Sequence, residues 1–547
     1  MVKSPNTIQL NRLKQLDRHF GTVLSVVDSQ TLAQIMSCST RNVAKTMKNL
    51  AELGWIDWQP GRGRGIKTQL QIVRSFDTVL IDVIKTYIAA GELNEAARYA
   101  DIFHYQKVFK QNLPEWIAEL SNENQSSDKL ISLVPYSLPN AHPMHMVDRN
   151  AGITVSAMFD TLIDFEPLSG DFTPRLAHQF YQEGLTHYFR IRPDVHFHNG
   201  ERLTPDHVQQ VLLAHKKINI VGSEFYQSIE SVKVNRQWVE VTLSFDDPMF
   251  LHTVADIHAS IYLDNPAEPN FPFGTGAYHW GTKTIDHWTL IKNTGYFAQH
   301  GILKSAEFWH VLETHKTSVG HLLEFEASET RIDNASSLLG ASIGCKGLCM
   351  SQKLDDGIRK SLAVVVQDVL QQHYQTRHSL SSSLFNSSVA LKSSERPYSS
   401  EPLELPNSLK VHNTNSEVLQ HLWNQLTEQN IEIEYVDDLS HADVWIENFL
   451  IGADPIFDHY YWLLLSASAK QMVSSFKQQQ WLTEVQKAHS LKDTLSLIER
   501  RYLEQYRVIP LWTKSYAFRG HQTLRGTIIN SLGFMDITQI WFDKRES

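Results

Sequence analysis

Cysteine is nearly absent. Three residues in a chain of 547 cannot form a disulfide framework. Long apolar runs are absent as well: the longest, near Tyr460–Ala469, is about half of the roughly 20 residues that cross a bilayer. Met1-Val2-Lys3-Ser4-Pro5-Asn6 leads into polar residues with no apolar h-region, so no secretory signal is read there and a cytoplasmic, soluble protein is expected. No G-x-x-x-x-G-K-[ST] or H-E-x-x-H spacing occurs, which excludes the common nucleotide cradle and zincin site. Asp355-Asp356 and Asp437-Asp438 read as solvated loop charges rather than an acid/base pair. The expectation is no catalytic residue, no metal, no cofactor and no enzyme.

What is present is core-forming material, 42% apolar and 10% aromatic, which excludes a mainly disordered chain. At this length two or three cores are expected. The net charge of −10 conceals an asymmetry: residues 1–74 hold eleven Lys/Arg against four Asp/Glu, a net +7, leaving −17 for the rest. A basic head on an acidic body suggests a polyanion partner for the head, the alternative being a solvated basic face.

Within that head, Ile8, Leu10, Leu13, Leu16 and Phe20 fall near helical spacing. Ser29-Gln30-Thr31 caps a short run carrying Leu32, Ala33, Ile35 and Met36, and Ser37-Cys38-Ser39 breaks it. Ser39 then reads as the N-cap of a helix from Thr40 to about Leu53. Val43, Met47 and Leu50 would pack inward, while Arg41, Lys45 and Lys48 form a second row beside Asn42, Thr46 and Asn49. Three cations on one helix face repel, a cost that a nearby anion offsets. Gly54 stops the helix, Trp55-Ile56-Asp57-Trp58 reads as a strand, Gln59–Gly65 as a Gly/Arg turn, and Ile66–Val73 as the return strand. This is the order of a winged helix-turn-helix, with the helix-turn-helix at about 29–52. Arg41, Asn42, Lys45, Thr46 and Asn49 are the candidates for base edges of double-stranded DNA, and Lys48, Arg62, Arg64 and Lys67 for phosphate. The competing reading is a helical hairpin that docks a protein.

Residues 75–128 read as two or three connector helices and a polar linker, Ser121–Asp128. From 129 to 547 strands (Leu130–Val134, Tyr188–Ile191, Val239–Phe245, Leu409–Val411) interleave with helices (Ala151–Leu162, Thr204–His215, Glu417–Gln429, Lys470–Leu482), implying α/β architecture in more than one lobe. His196 and His198 share a face of a predicted strand, and His142 and His145 flank Pro143-Met144. Neither pair has a carboxylate at ligand spacing, so surface or locally bonded histidines are expected. Cys345 and Cys349, at C-x-x-x-C spacing with no second pair, read as reduced thiols, with a redox switch as the alternative.

Leu185-Thr186-His187-Tyr188-Phe189-Arg190-Ile191-Arg192-Pro193-Asp194-Val195-His196-Phe197-His198-Asn199-Gly200, continued by Leu203–Val208, resembles the signature of oligopeptide- and nickel-type extracytoplasmic solute-binding proteins. Gly274-Thr275-Gly276-Ala277-Tyr278, Asn293-Thr294-Gly295-Tyr296-Phe297 and Gly452-Ala453-Asp454-Pro455 are similar to three later segments of that family. With the head, and with Ser37-Cys38-Ser39, Gly61-Arg62-Gly63 and Ser531–Asp536, the whole resembles the SgrR-type transcriptional regulators. The Ser-rich stretch 379–400 and the surroundings of Cys345–Cys349 depart from the pattern.

The resemblance implies a multidomain chain: an N-terminal α+β winged helix-turn-helix (1–74), a helical connector (75–128), and a C-terminal two-lobed α/β periplasmic-binding-protein-like domain of type II, oligopeptide-binding-like (129–547). Its implied function is a regulator, activator or repressor, whose hinged sensor closes on a small solute and alters DNA binding or RNA polymerase contact, in a response to sugar-phosphate stress. The solute classes are a sugar phosphate, an oligosaccharide or a peptide. A phosphate would call for an arginine or a helix N-terminus in the cleft. Tyr136, Trp445 and Asp454, at or beside ends of predicted strands, are the candidate pocket residues, with core or capping roles as the alternative. The runner-up function is a cytoplasmic peptide- or oligosaccharide-binding protein whose head docks a protein partner.

Overall fold

The structure, a computed structural model, describes the chain apart from residues 1–5, 62–67, 91, 121–127, 135, 146–148, 168, 218–221, 300, 311–321, 327–336, 375–379, 386–402, 413–416, 453, 521–523, 527–535 and 544–547. The described chain forms two compact units, the second beginning at Asp128.

The first unit opens with α1 (Thr7–Phe20), closed at its start by a reciprocal pair of side-chain bonds between Asn6 and Gln9. Strand β1 (Ser25–Val27) follows, then α2 (Ser29–Ile35), α3 (Thr40–Glu52), β2 (Ile56–Gln59) and β3 (Thr68–Ile72). The cap of α2 is Asp28, one residue before the predicted position, because its carboxylate reaches the amides of both Gln30 and Thr31. Ser39 does occupy the N-cap of α3, but its side chain makes no capping bond. The sheet runs in the order β1-β3-β2, all antiparallel, so the wing hairpin carries a third strand that three residues between helices do not advertise. Leu10, Leu13 and Leu16 of α1, Val43, Met47 and Leu50 of α3, and Leu70 and Ile72 of β3 are buried together as the core of the head. Gly54, at φ 70°, turns the chain out of α3 in a conformation that side chains rarely tolerate.

The connector is α4 (Phe76–Ala89), α5 (Leu93–Ile102) and α6 (Gln106–Leu120). It packs onto the head within the same unit: the Asp17 carboxylate accepts from the Phe76 amide at 2.7 Å, and the Lys14 ammonium lies over the rings of Phe76 and Phe103.

The second unit is built on a ten-stranded mixed sheet. Its order is Tyr278–Thr284, His287–Lys292, Ser305–His310, Lys129–Val134, Leu322–Glu326, Val508–Gly520, Ser337–Met350, Val444–Leu450, Ser408–His412, Glu432–Val436. One end packs a core of Leu130, Val134, Met158, Trp288 and Phe308, and the other packs a core of Met350, Val366, Val411, Trp423 and Ile509. Ser337–Met350 and Val508–Gly520, the two longest strands, lie side by side between these ends. A separate four-stranded antiparallel sheet (Ala177–Glu183, Thr186–Ile191, Trp238–Leu243, Ile229–Asn235) shares the largest core with helices between Pro455 and Glu504. The predicted helix Lys470–Leu482 is two helices, Ala467–Met472 and Ser475–Gln486, because Ser474 turns back to cap the second. The predicted strand through His196 and His198 is a series of turns with one isolated bridge, His196 to Arg202. Among the described residues no helix is long and apolar enough to cross a membrane.

Candidate functional site

Two places deserve the name of candidate site: the outer face of α3 in the first unit, and a cavity in the second.

On α3, burial of Val43, Met47 and Leu50 fixes the helix by one face and leaves Arg41, Asn42, Lys45 and Lys48 exposed, with Thr46 and Asn49 half-buried. Among the described residues the one ion pair on this face joins Lys48 to Glu52 at 3.7 Å, both exposed, an interaction worth little in water. Arg62, Arg64 and Lys67 lie outside the described residues.

The cavity of about 460 Å³ is walled by segments far apart in the chain. The helix Arg149–Met158 ends at Met158 and delivers Phe159 and Thr161. The hairpin of Ile163–Glu166 with Asp171–Pro174 brings Asp164, Glu166 and Thr173. Helix Phe250–Ala255 supplies His252, the next turn Asp256 and Ser260, and the carboxyl-terminal segment Asp536, Thr538 and Gln539.

Behind its wall lies a buried polar network. The Asp160 carboxylate, with no side-chain exposure, accepts from Arg175 Nε at 2.7 Å, Tyr296 Oη at 2.9 Å and Thr275 Oγ1 at 2.7 Å. Arg175 also gives Nη1 to Asp164 at 2.6 Å and Nη2 to Tyr296 Oη at 3.0 Å. Burial pulls the Arg175 guanidinium down, but the carboxylates of Asp160 and Asp164 hold it well above its ordinary value. Burial, then the Asp160 charge, raises the Tyr296 phenol. All three hydroxyl and guanidinium donors therefore converge on one acceptor, as a buried charge requires.

The same network explains the matched segments. Arg192 Nε donates to the Arg175 carbonyl at 2.6 Å, His198 sits 3.1 Å from the Gly276 carbonyl, and Asn293 Nδ2 donates to that carbonyl at 2.9 Å. Gly276 in turn gives its amide to Met158 O at 2.9 Å. A Cβ on Gly274 would stand 1.9 Å from the Met158 carbonyl oxygen, and one on Gly276 2.4 Å from the Met158 carbonyl carbon. Backbone cannot yield cheaply there, so Gly274→Ala is expected to cost about 2–3 kcal/mol, read as a lower urea midpoint with an unchanged slope.

Of the candidate pocket residues, Asp454 lines the cavity: one oxygen accepts from the amides of Ile456 and Phe457 and the other meets His252 Nδ1. Trp445 does not. It is 1% exposed in the largest core, with its indole N–H donated to Ser468, because its strand is covered on that face. Tyr136 packs beside Trp288, ring centres 6.1 Å apart, away from this cavity. Sequence reasoning missed Asp160, Arg175, His252 and Asp256, single polar residues that no spacing marks, and gave no role to Asp536, on which the quoted segment Ser531–Asp536 ends. Thr275 and Tyr296 sat inside quoted segments but carried no assigned role.

Cys345 and Cys349 are free thiols in a buried strand. Burial pushes Cys345 up to about 12 and Cys349 well above the usual range, so both stay protonated and unreactive near neutral pH. His142 and His145 face each other at 4.6 Å, and no cluster of three metal-ligating side chains occurs among the described residues.

Comparison with known proteins places these features. Residues 9–122 match the family described as "Sugar transport-related sRNA regulator N-term", and residues 171–319 match "Bacterial extracellular solute-binding proteins, family 5 Middle". The chain is similar to the HTH-type transcriptional regulator SgrR of Yersinia pseudotuberculosis, 21% identical with 95% of each chain covered, and to that of Photorhabdus laumondii, 21% identical over 94% and 95%. In fold the body resembles the periplasmic binding protein DppA from Helicobacter pylori in complex with peptide STSA (TM-score 0.63, 13% identity, 76% of this chain and 98% of that one). It also resembles the Escherichia coli murein tripeptide binding protein MppA (TM-score 0.62, 13% identity, 77% and 99%).

Proposed function

From a chain with the domain arrangement of the SgrR-type transcriptional regulators, a winged-helix head followed by a family 5 solute-binding body, we propose a cytoplasmic regulator that grips double-stranded DNA with α3 and senses a small solute with its body. The single observation carrying the DNA half is the exposed row Arg41, Lys45 and Lys48 on a helix held by its opposite, buried face. Arg41, Asn42, Lys45, Thr46 and Asn49 would meet base edges, and Lys48 phosphate, with Arg62, Arg64 and Lys67 added from the turn. The cavity supports the sensing half: 460 Å³ suits a small solute. Solute binding would change transcription only through unequal affinity for two states of the body. The head's family description concerns sugar transport, and we carry that to this chain as the response it governs, tied to sugar-phosphate stress.

Selection of the full chain on random duplexes should enrich one sequence. Lys48→Ala should then weaken binding to every duplex alike and lower the salt slope by about 1. Arg41→Ala should relax the preference for the enriched site, at about 1–3 kcal/mol. Unchanged salt dependence in Lys48→Ala, with no enriched duplex, would contradict the assignment. What favours a protein-docking head instead is the exposed apolar run Val23, Leu24 and Val26, and a failed selection is what that reading expects.

A further inference from the structure

Among the described residues the cavity wall carries five carboxylates, Asp164, Glu166, Asp256, Asp454 and Asp536, against the Arg175 guanidinium and the His252 imidazole, which pairs with Asp454. That guanidinium is already engaged through Nε, Nη1 and Nη2 with Asp160, Asp164 and Tyr296. Backbone donors are engaged too. Asp454 takes the amides of Ile456 and Phe457, Asp256 that of His258, and Asp536 the amide and hydroxyl of Thr538. A phosphate needs an unclaimed arginine or open helix-start amides, and among the described wall residues the donors named are already taken by groups of the protein itself.

We propose that this cavity takes a solute bearing a protonated amine and excludes phosphate esters, an assignment that rests on reading the cavity as the solute site. An ammonium entering it meets acceptors that its own three donors can satisfy, and it offsets the mutual repulsion of the wall. A phosphate dianion adds to that repulsion and would have to break the Arg175 pairs to find a partner. A sugar-linked response is compatible with this when the sensed molecule is an amino sugar or an amine that accompanies sugar stress, rather than the phosphorylated sugar.

The test is calorimetric titration of the full chain at pH 7 with glucosamine, putrescine, N-acetylglucosamine, diacetylputrescine and glucose 6-phosphate. The amines should bind, acetylation should weaken them at least tenfold, and glucose 6-phosphate should give no saturable heat. Glu166→Gln and Asp536→Asn should each weaken the amines roughly three- to tenfold, as a lost charge-assisted bond does. Glucose 6-phosphate binding as tightly as glucosamine, with either variant altering it, overturns the charge assignment and leaves the cavity as solute site. Silence from every probe, or heats indifferent to both variants, overturns the solute-site reading and the proposal with it.

Discussion

Replacing Asp160 with alanine is expected to lower the stability of the body by about 3–5 kcal/mol, the usual consequence of removing one partner from a buried, hydrogen-bonded charge pair. Its carboxylate is the common acceptor for Arg175, Tyr296 and Thr275, so the truncation leaves a guanidinium and two hydroxyls short of a partner at once. Asp164→Ala is the control. That carboxylate is 40% exposed and Arg175 keeps Asp160, so a loss of about 1 kcal/mol or less is expected. Urea unfolding followed by tryptophan fluorescence reads both. Equal midpoints for the two variants would remove Asp160 from the centre of the network.

Acid should unfold the protein earlier than its carboxylates alone would dictate. Burial lowers His142, His187 and His287 to about 4 and His215 to about 3, and each of the four is less than 8% exposed. An unfolded chain protonates them near 6.5, so as pH falls the unfolded state gains protons first. Stability contributed by their neutral forms is therefore complete above about 6.5 and declines from there to about 4. Each histidine accounts for up to about 1.4 kcal/mol per pH unit inside that window. Burial raises Asp247 and Glu447 instead, and these two act in the opposite sense. His187→Phe separates the contributions. Its ring lies 4.6 Å from Phe250 and its Nε2 has no hydrogen-bond partner among the described residues, so an apolar ring of similar size should keep the packing and remove one proton from the slope. Calorimetric melting temperatures that are flat from pH 7 to 5, or identical pH slopes in the two proteins, would refute it.

The head was legible in sequence because local rules govern it. A 3.6-residue apolar period and a Gly stop were enough to bring out α3 and its buried triplet Val43, Met47 and Leu50, since each signal spans a few residues. The missing pieces there were β1, three residues whose pairing with β3 is fixed only by a partner some forty positions on, and Asp28, whose capping bonds outcompete those of the neighbouring serine. In the body, the strands Lys129–Val134, Thr186–Ile191 and Ser408–His412 followed their β-rich composition. The cavity did not follow anything local. Its wall gathers Asp164, His252, Asp454 and Asp536 from segments separated by up to several hundred residues, and each of them looks in sequence like an ordinary turn or cap. Trp445 shows the converse error: an aromatic at a strand end suggested a ligand platform, and the sheet's cover made it core.

Arg192, His198, Thr275 and Asn293 belong to the segments by which this body is recognised, yet their side chains hold neighbouring loops together and none of them borders the cavity. Ala277, Tyr296, Asp454 and Asp536, from the same set of segments, do line it, so those stretches carry both the loop scaffold and part of the wall. A chain of this fold could change the chemistry of the cavity at residues 164–166, 252–260 and 538–539 with every one of those segments intact, whereas a change at Ala277, Tyr296, Asp454 or Asp536 alters segment and wall together.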